Sequence, residues 1–267
     1  MKLCASYHSA ISKWQKLNEI RYPIAALDQA IGAIEQYPDH TIIIEIVELK
    51  KSGISGKKFT NIVKENPSIV VDCYNIEDLR TLRYFSAIGK LMYHYPVNNF
   101  NDLRYLLSYA PCAVTISEPL TFMLPRVRQA IYAWTDPDTT VDIRVKPEIG
   151  RPTEWNHIME QDDGFCHFWL PPSWIPIYEE YIDVLDLYES DTDRESALID
   201  IYSNQQYDNL LNVLVKNCET NIPCGILDED LAKKRITCGQ RCMEGIGHCH
   251  YCDMFVKTAK LARPSQS

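Results

Sequence analysis

The chain has 267 residues, enough for one large domain with a small appendage, and 46% of them are hydrophobic, so a substantial core can form. The net charge of −9 comes with no basic run or stripe, which argues against general nucleic-acid binding; only Lys233, Lys234, Arg235 and Arg241 offer a local basic patch. No stretch approaches the ~18 uninterrupted apolar residues of a membrane span, and residues 1–9 carry no apolar signal-type run, so the expectation is a soluble, cytoplasmic protein.

In chain order, residues 18–24 read as a first strand. Residues 27–37 follow with helical spacing, Leu27, Ile31 and Ile34 falling on one face. Residues 41–49 form a β-branched run, and 57–65 a helix. Residues 68–73 are a strand, after which Asn75 reads as the N-cap of a helix over 76–84. Strands at 90–95, 113–118 and 141–148 alternate with helices at 101–110, 124–134 and 152–160. Residues 165–170 read as a seventh strand, followed by Pro171-Pro172 and a short helical piece to Glu180. Residues 182–187 are the eighth.

Eight strands, each followed by a helical connection, are the rhythm of a (β/α)8 barrel. About 170 residues is short for that fold, whose usual size is ~250. The alternative is a doubly wound open sheet, but no Gly-rich phosphate loop follows any strand. We therefore expect a TIM-barrel-like domain over residues 1–190. Residues 191–267 form a helical bridge, with helical spacing over 195–216, and a cysteine-rich tail.

Ten cysteines in a reducing compartment read as thiols and metal ligands, not disulfides. Cys4, Cys73, Cys112 and Cys166 lie among apolar residues and read as small buried side chains. Cys238, Cys242, Cys249 and Cys252 fall within fifteen residues, spaced x3, x6 and x2, with glycines between them. Thiolates bind zinc or iron tightly, so this block is a candidate metal centre holding zinc or an iron–sulfur cluster. Cys218, Cys224, His248 and His250 are alternative ligands. The spacing matches neither the CxxxCxxC run of radical-SAM enzymes nor a ferredoxin CxxCxxC run.

In a closed barrel the carboxyl ends of the strands carry the chemistry. The polar residues that the reading puts there include Glu45, Glu48, Asp72, Tyr93, His94, Tyr95, Ser117, Glu118, Lys146, Glu148, His167, Trp169, Asp186 and Tyr188. Buried charges must be paired, so acids converging on Lys146 form a cluster able to shift pKa values and do acid–base work. Glu118, Lys146, His94 and Glu45 are the candidate catalytic residues. Glu118 and Lys146 each precede a proline that fixes the rim. The Trp169–Trp174 segment is either a wall of a ligand pocket or a packing plug.

The strand–helix rhythm over residues 19–188, followed by Cys238, Cys242, Cys249 and Cys252, resembles the U32 family. That resemblance implies a barrel with a cysteine-bound iron–sulfur cluster and oxygen-independent hydroxylation of RNA or quinone precursors. It carries over no catalytic residue: the cysteines here form a compact C-terminal block and are not spread through the barrel. A second expectation comes from another class, a non-catalytic binding or assembly module whose tail is stapled by structural zinc. The substrate or protein partner is not legible in either case.

Overall fold

The computed structural model describes residues 1–10, 12–46, 52–73, 83–117, 120–147, 170, 172–188 and 192–204, together with 230, 232, 233 and 236. The side chains of Tyr84, His94, Tyr95 and Ser173 are outside that description.

Eight parallel strands close into a barrel in sequence order. They are β1 (Lys2–Ser6), β2 (Glu19–Pro23), β3 (Thr41–Glu45), β4 (Ile69–Cys73), β5 (Leu91–Val97), β6 (Ala113–Ile116), β7 (Asp142–Val145) and β8 (Val184–Asp186). The ring closes where β1 pairs with β8, Lys2 beside Val184 and Cys4 beside Asp186. This excludes the doubly wound open sheet. Among the described residues, no helix is long and apolar enough to cross a membrane.

The count of eight strands holds, but its membership changes at two places. The first strand is Lys2–Ser6, a segment to which the sequence reading assigned no element. The predicted strand over 165–170 lies, Leu170 apart, outside the described residues, and β7 pairs directly with β8 without it. β1 escaped notice because its alternation of Lys2, Cys4 and Ser6 with Leu3 and Ala5 is only five residues long.

The helices follow from local chemistry. α1 (Tyr7–Ala10) is a single turn. α2 (Leu27–Gln36) buries Leu27, Ala30 and Ala33. α3 (Gly56–Glu65) buries Phe59 and Val63; its N-cap Ser55 accepts a hydrogen bond from the Lys58 amide at 3.2 Å, which satisfies one of the free amides of the first turn. α4 (Arg83–Ala87) begins where the described chain resumes, and the predicted Asn75 cap lies outside the described residues. In α5 (Phe100–Leu107), Asn99 caps through the Asp102 amide at 2.9 Å. α6 (Leu124–Trp134) starts with proline at its first turn, where a missing N–H costs nothing, and buries Leu124, Val127 and Ile131. α7 (Ile175–Tyr178) is short, and α8 (Thr192–Asn204) begins the bridge.

The strands bury both faces, with opposite chemistry on each. Outward side chains such as Ile20, Tyr22, Ile42, Ile44, Val71, Ile143 and Leu185 pack against the helices in one apolar cluster. Inside the barrel the apolar cluster is small: Cys4, Ile43, Met92, Ala113 and Val184, with Val70 and Cys112 against it. Bridge partners in a parallel ladder share a face. The register therefore assigns Glu19, Arg21, Glu45, Asp72, Thr115, Arg144 and Asp186 to the same inward face.

Candidate active site at the barrel mouth

Two arginines reach across the barrel interior from strands on either side of the β1–β8 seam. Arg21 on β2 and Arg144 on β7 are each 1% exposed. Their sequence context explains the placement. Each stands between two apolar residues, Ile20 and Tyr22 or Ile143 and Val145, that face the helices, so alternation turns the guanidinium inward.

Arg21 donates from Nη1 to Asp72 and from Nη2 to Asp186 at 2.8 Å, and its Nη1 lies 3.4 Å from Glu45. Arg144 donates from Nη1 to Glu19, and its Nη2 is 3.6 Å from Asp186. Asp186 thus joins the two arginines, and both Asp72 and Asp186 are wholly removed from solvent. Burial by itself would discharge Arg21, but Asp186, Asp72 and Glu45 outweigh it and push its pKa up. For Arg144 burial is likewise outweighed, by Cys4, Glu19 and Asp186. An unpaired charge here would be prohibitive, so the lattice exists only as a paired whole.

Toward the carboxyl ends the lattice opens into less buried groups. Glu45 is the most accessible carboxylate of those that meet Arg21, its side chain 14% exposed. Lys146 donates from Nζ to the Tyr188 carbonyl at 2.9 Å. Its ammonium stands 5.6 Å from the centre of the Tyr188 ring, and the Arg21 guanidinium 5.9 Å from the same centre. Burial, reinforced by Glu45, raises the Tyr188 pKa, so its hydroxyl keeps its proton. The mouth therefore presents proton donors, Lys146 and Tyr188, near a carboxylate acceptor, Glu45. That set can transfer a proton to or from a bound molecule.

Beside this mouth, α8 supplies a further carboxyl. Glu195 is fully buried and accepts from the Ser6 amide, from Ser6 Oγ at 2.7 Å and from Ser9 Oγ at 2.9 Å. Burial raises its pKa, the Ser6 and Ser9 hydrogen bonds oppose that, and Asp186 adds to the rise. Lower on the same seam, Asp200 of α8 pairs with Lys13 and with Lys16, the latter at 2.8 Å.

Of the expected catalytic residues, Glu45 and Lys146 stand at the mouth. Lys146 meets Tyr188, while Glu45 meets Arg21. The other two were not placed: Glu118 lies outside the described residues, and His94 sits in β5 with its side chain outside the description. Of the other strand-end residues, Asp72 and Asp186 join the lattice, whereas Tyr93 points outward into the helix-facing core, one residue out of phase with Met92 in the lumen. Glu48, Glu148, His167 and Trp169 lie outside the described residues. Trp174 is 1% exposed and stacks on Tyr178 at 6.3 Å, so at that end the aromatic segment packs as a plug.

Sequence reasoning missed Arg21, Arg144, Glu19, Ser6 and Glu195. The arginines carried a readable signal, charges alternating with apolar residues along a strand: Glu19 and Arg21 on β2, Asp142 and Arg144 on β7. Glu195 carried none, since an acidic residue in the first turn of a helix is ordinary.

Cys238, Cys242, Cys249 and Cys252 lie outside the described residues. As a donor set, four thiolates suit zinc or an iron–sulfur cluster. Among the described residues, no three His, Cys, Asp or Glu side chains gather as a metal site. Of the scattered cysteines, Cys4 and Cys73 are buried, as expected, and Cys112 is partly so. Burial, with Asp142 adding, raises the Cys112 thiol to about 12, which makes it unreactive at neutral pH.

No protein-family model and no curated protein matches the chain.

Proposed function

We propose that the protein is an enzyme whose reaction takes place at the carboxyl mouth of the barrel, with a four-thiolate metal centre in its C-terminal segment. One observation carries this reading: the buried Arg21–Asp72–Asp186–Arg144 lattice below a rim of Lys146, Tyr188 and Glu45. A barrel interior is stably filled by branched apolar side chains. Charges in that place are a poor way to gain stability and a common way to organise chemistry. In this reading Lys146 and Tyr188 donate, Glu45 accepts, and Arg21 holds Glu45 and orients it. Cys238, Cys242, Cys249 and Cys252 would hold the metal; an iron–sulfur cluster there would supply electron transfer. The U32-like resemblance then directs the choice of substrate toward RNA or a quinone precursor, with hydroxylation as the reaction class. In the competing reading, a binding module, the same cysteines hold zinc and only fix the tail.

Anaerobic purification, followed by a visible spectrum and metal analysis, separates the two. Brown protein with about four irons per chain supports the enzyme reading, and colourless protein with about one zinc supports the binding module. If the iron form is obtained, Lys146→Ala should lower turnover of an RNA or quinone-precursor substrate by about 100-fold or more. Unchanged turnover in both Lys146→Ala and Glu45→Gln would remove the mouth from the mechanism.

A further inference from the structure

We infer that the cleft between α2 and the β1–β2 connection, on the outer side of the barrel, is a binding site for an uncharged, polyhydroxylated ligand of the monosaccharide class. The connection contributes one turn of α1 and a 3-10 turn over Trp14–Lys16, where a regular barrel sets a full helix in its outer ring. α2 is left open along a stripe that carries Gln29, Gly32 and Gln36, spaced i, i+3 and i+7. Tyr7 and Trp14 of the connection line the same cleft, with Tyr37 from the end of α2 and Tyr22 from the outer face of β2. Its volume is about 350 Å³, within the range of small-ligand sites.

The lining decides the kind of ligand. Among the described residues no charged side chain lines the cleft, so nothing there balances an anion or a cation. Tyr7 stacks on Tyr22 with ring centres 5.0 Å apart, and Trp14 meets Tyr37 at 4.2 Å. Rings held in pairs make walls that lose little freedom on binding. The amides of Gln29 and Gln36, exposed at the rim, have no hydrogen-bond partner among the described residues. Tyr22, 7% exposed, keeps its proton, its pKa raised by burial and by Tyr37 and Tyr7. Phenol hydroxyls and primary amides each both donate and accept. So do the hydroxyls of a sugar, whose C–H faces suit aromatic walls. A purely apolar ligand would strip water from these groups without replacing it. The cleft lies outside the lumen, so the inference is independent of the chemistry proposed at the mouth.

The test is saturation-transfer NMR on the full chain with glucose, galactose, mannose and ribose as probes, and tetramethylammonium and inorganic phosphate as comparisons. At least one sugar should bind. Preference for ribose would assign the site to the sugar of a nucleoside and preference for a hexose to a free or terminal hexose; either supports the inference. A Cβ added at Gly32 meets nothing within 4 Å, and leucine is the better helix former. Gly32→Leu should therefore keep the fold, fill the cleft and abolish sugar binding. Gln29→Ala with Gln36→Ala removes two exposed amides and should weaken the sugar by about ten-fold without loss of stability. Silence of all four sugars would overturn the inference. So would sugar binding that is unchanged both in Gly32→Leu and in the double glutamine variant. Binding of tetramethylammonium or phosphate that Gly32→Leu abolishes, with no sugar bound, would overturn it by making the cleft a site for an ion.

Discussion

The two faces of the same strands solve burial in opposite ways. On β2, Ile20 and Tyr22 go to the helix-facing core, while Glu19 and Arg21 go to the lumen; on β7, Ile143 and Val145 go out and Arg144 goes in. The outer shell gains from apolar area removed from water, a non-directional term that tolerates similar shapes. The lumen is held by directional charge pairs whose gain barely offsets desolvation, so each member depends on the others. The outer shell stabilises the barrel, and in the proposed reading the inner lattice organises the chemistry of its mouth.

That contrast can be broken most directly at Arg21. Arg21→Ala leaves Asp72 and Asp186 short of their main partner and should cost about 3–5 kcal/mol in urea unfolding. Adding Asp72→Asn and Asp186→Asn should restore part of the loss. A cost below about 1 kcal/mol for Arg21→Ala would show that water enters the lumen freely. On the other face, Ile44→Ala should cost about 2–4 kcal/mol through lost burial and a residual cavity, with no partner substitution able to restore it.

A pH test sharpens the comparison at the seam. Glu195 has its folded pKa raised above the ordinary value near 4.5. The stability tied to its proton is therefore fully present below that ordinary value and is lost as pH rises through the raised one. Glu195→Gln cannot ionise and still meets Ser6 and Ser9. Relative to native protein, it should become progressively more stable from pH ~4.5 toward neutral. A pH-independent difference would mean that folding leaves the Glu195 pKa where it is in the unfolded chain. The smallest effect is expected at Asp200, whose side chain is 43% exposed beside Lys13 and Lys16. Asp200→Asn should cost about 1 kcal/mol or less at low ionic strength, and less in high salt.

How far the sequence was legible can be argued from particular elements. Residues 41–45 and 124–134 announced themselves, one by a β-branched run and the other by apolar spacing behind a proline, because both signals are local. β1 did not, because five residues of mixed polarity are read as strand only once β2 and β8 pair on either side of them. At the site, Glu45 and Lys146 were legible from their positions at strand ends, while Glu195 became visible only when α8 packed against Ser6 and Ser9.

By itself, then, the sequence determined the alternation of strand and helix and the barrel class, and it gathers Cys238, Cys242, Cys249 and Cys252 in one C-terminal block. Those properties depend on residue type and short-range period. Tertiary structure alone decided which eight segments close the ring, that Tyr93 faces out, and that Arg21 and Arg144 share Asp186. The reason is physical. The inward face of a closed barrel joins residues more than a hundred positions apart, and a charge is affordable there only beside partners that the ring itself brings within reach.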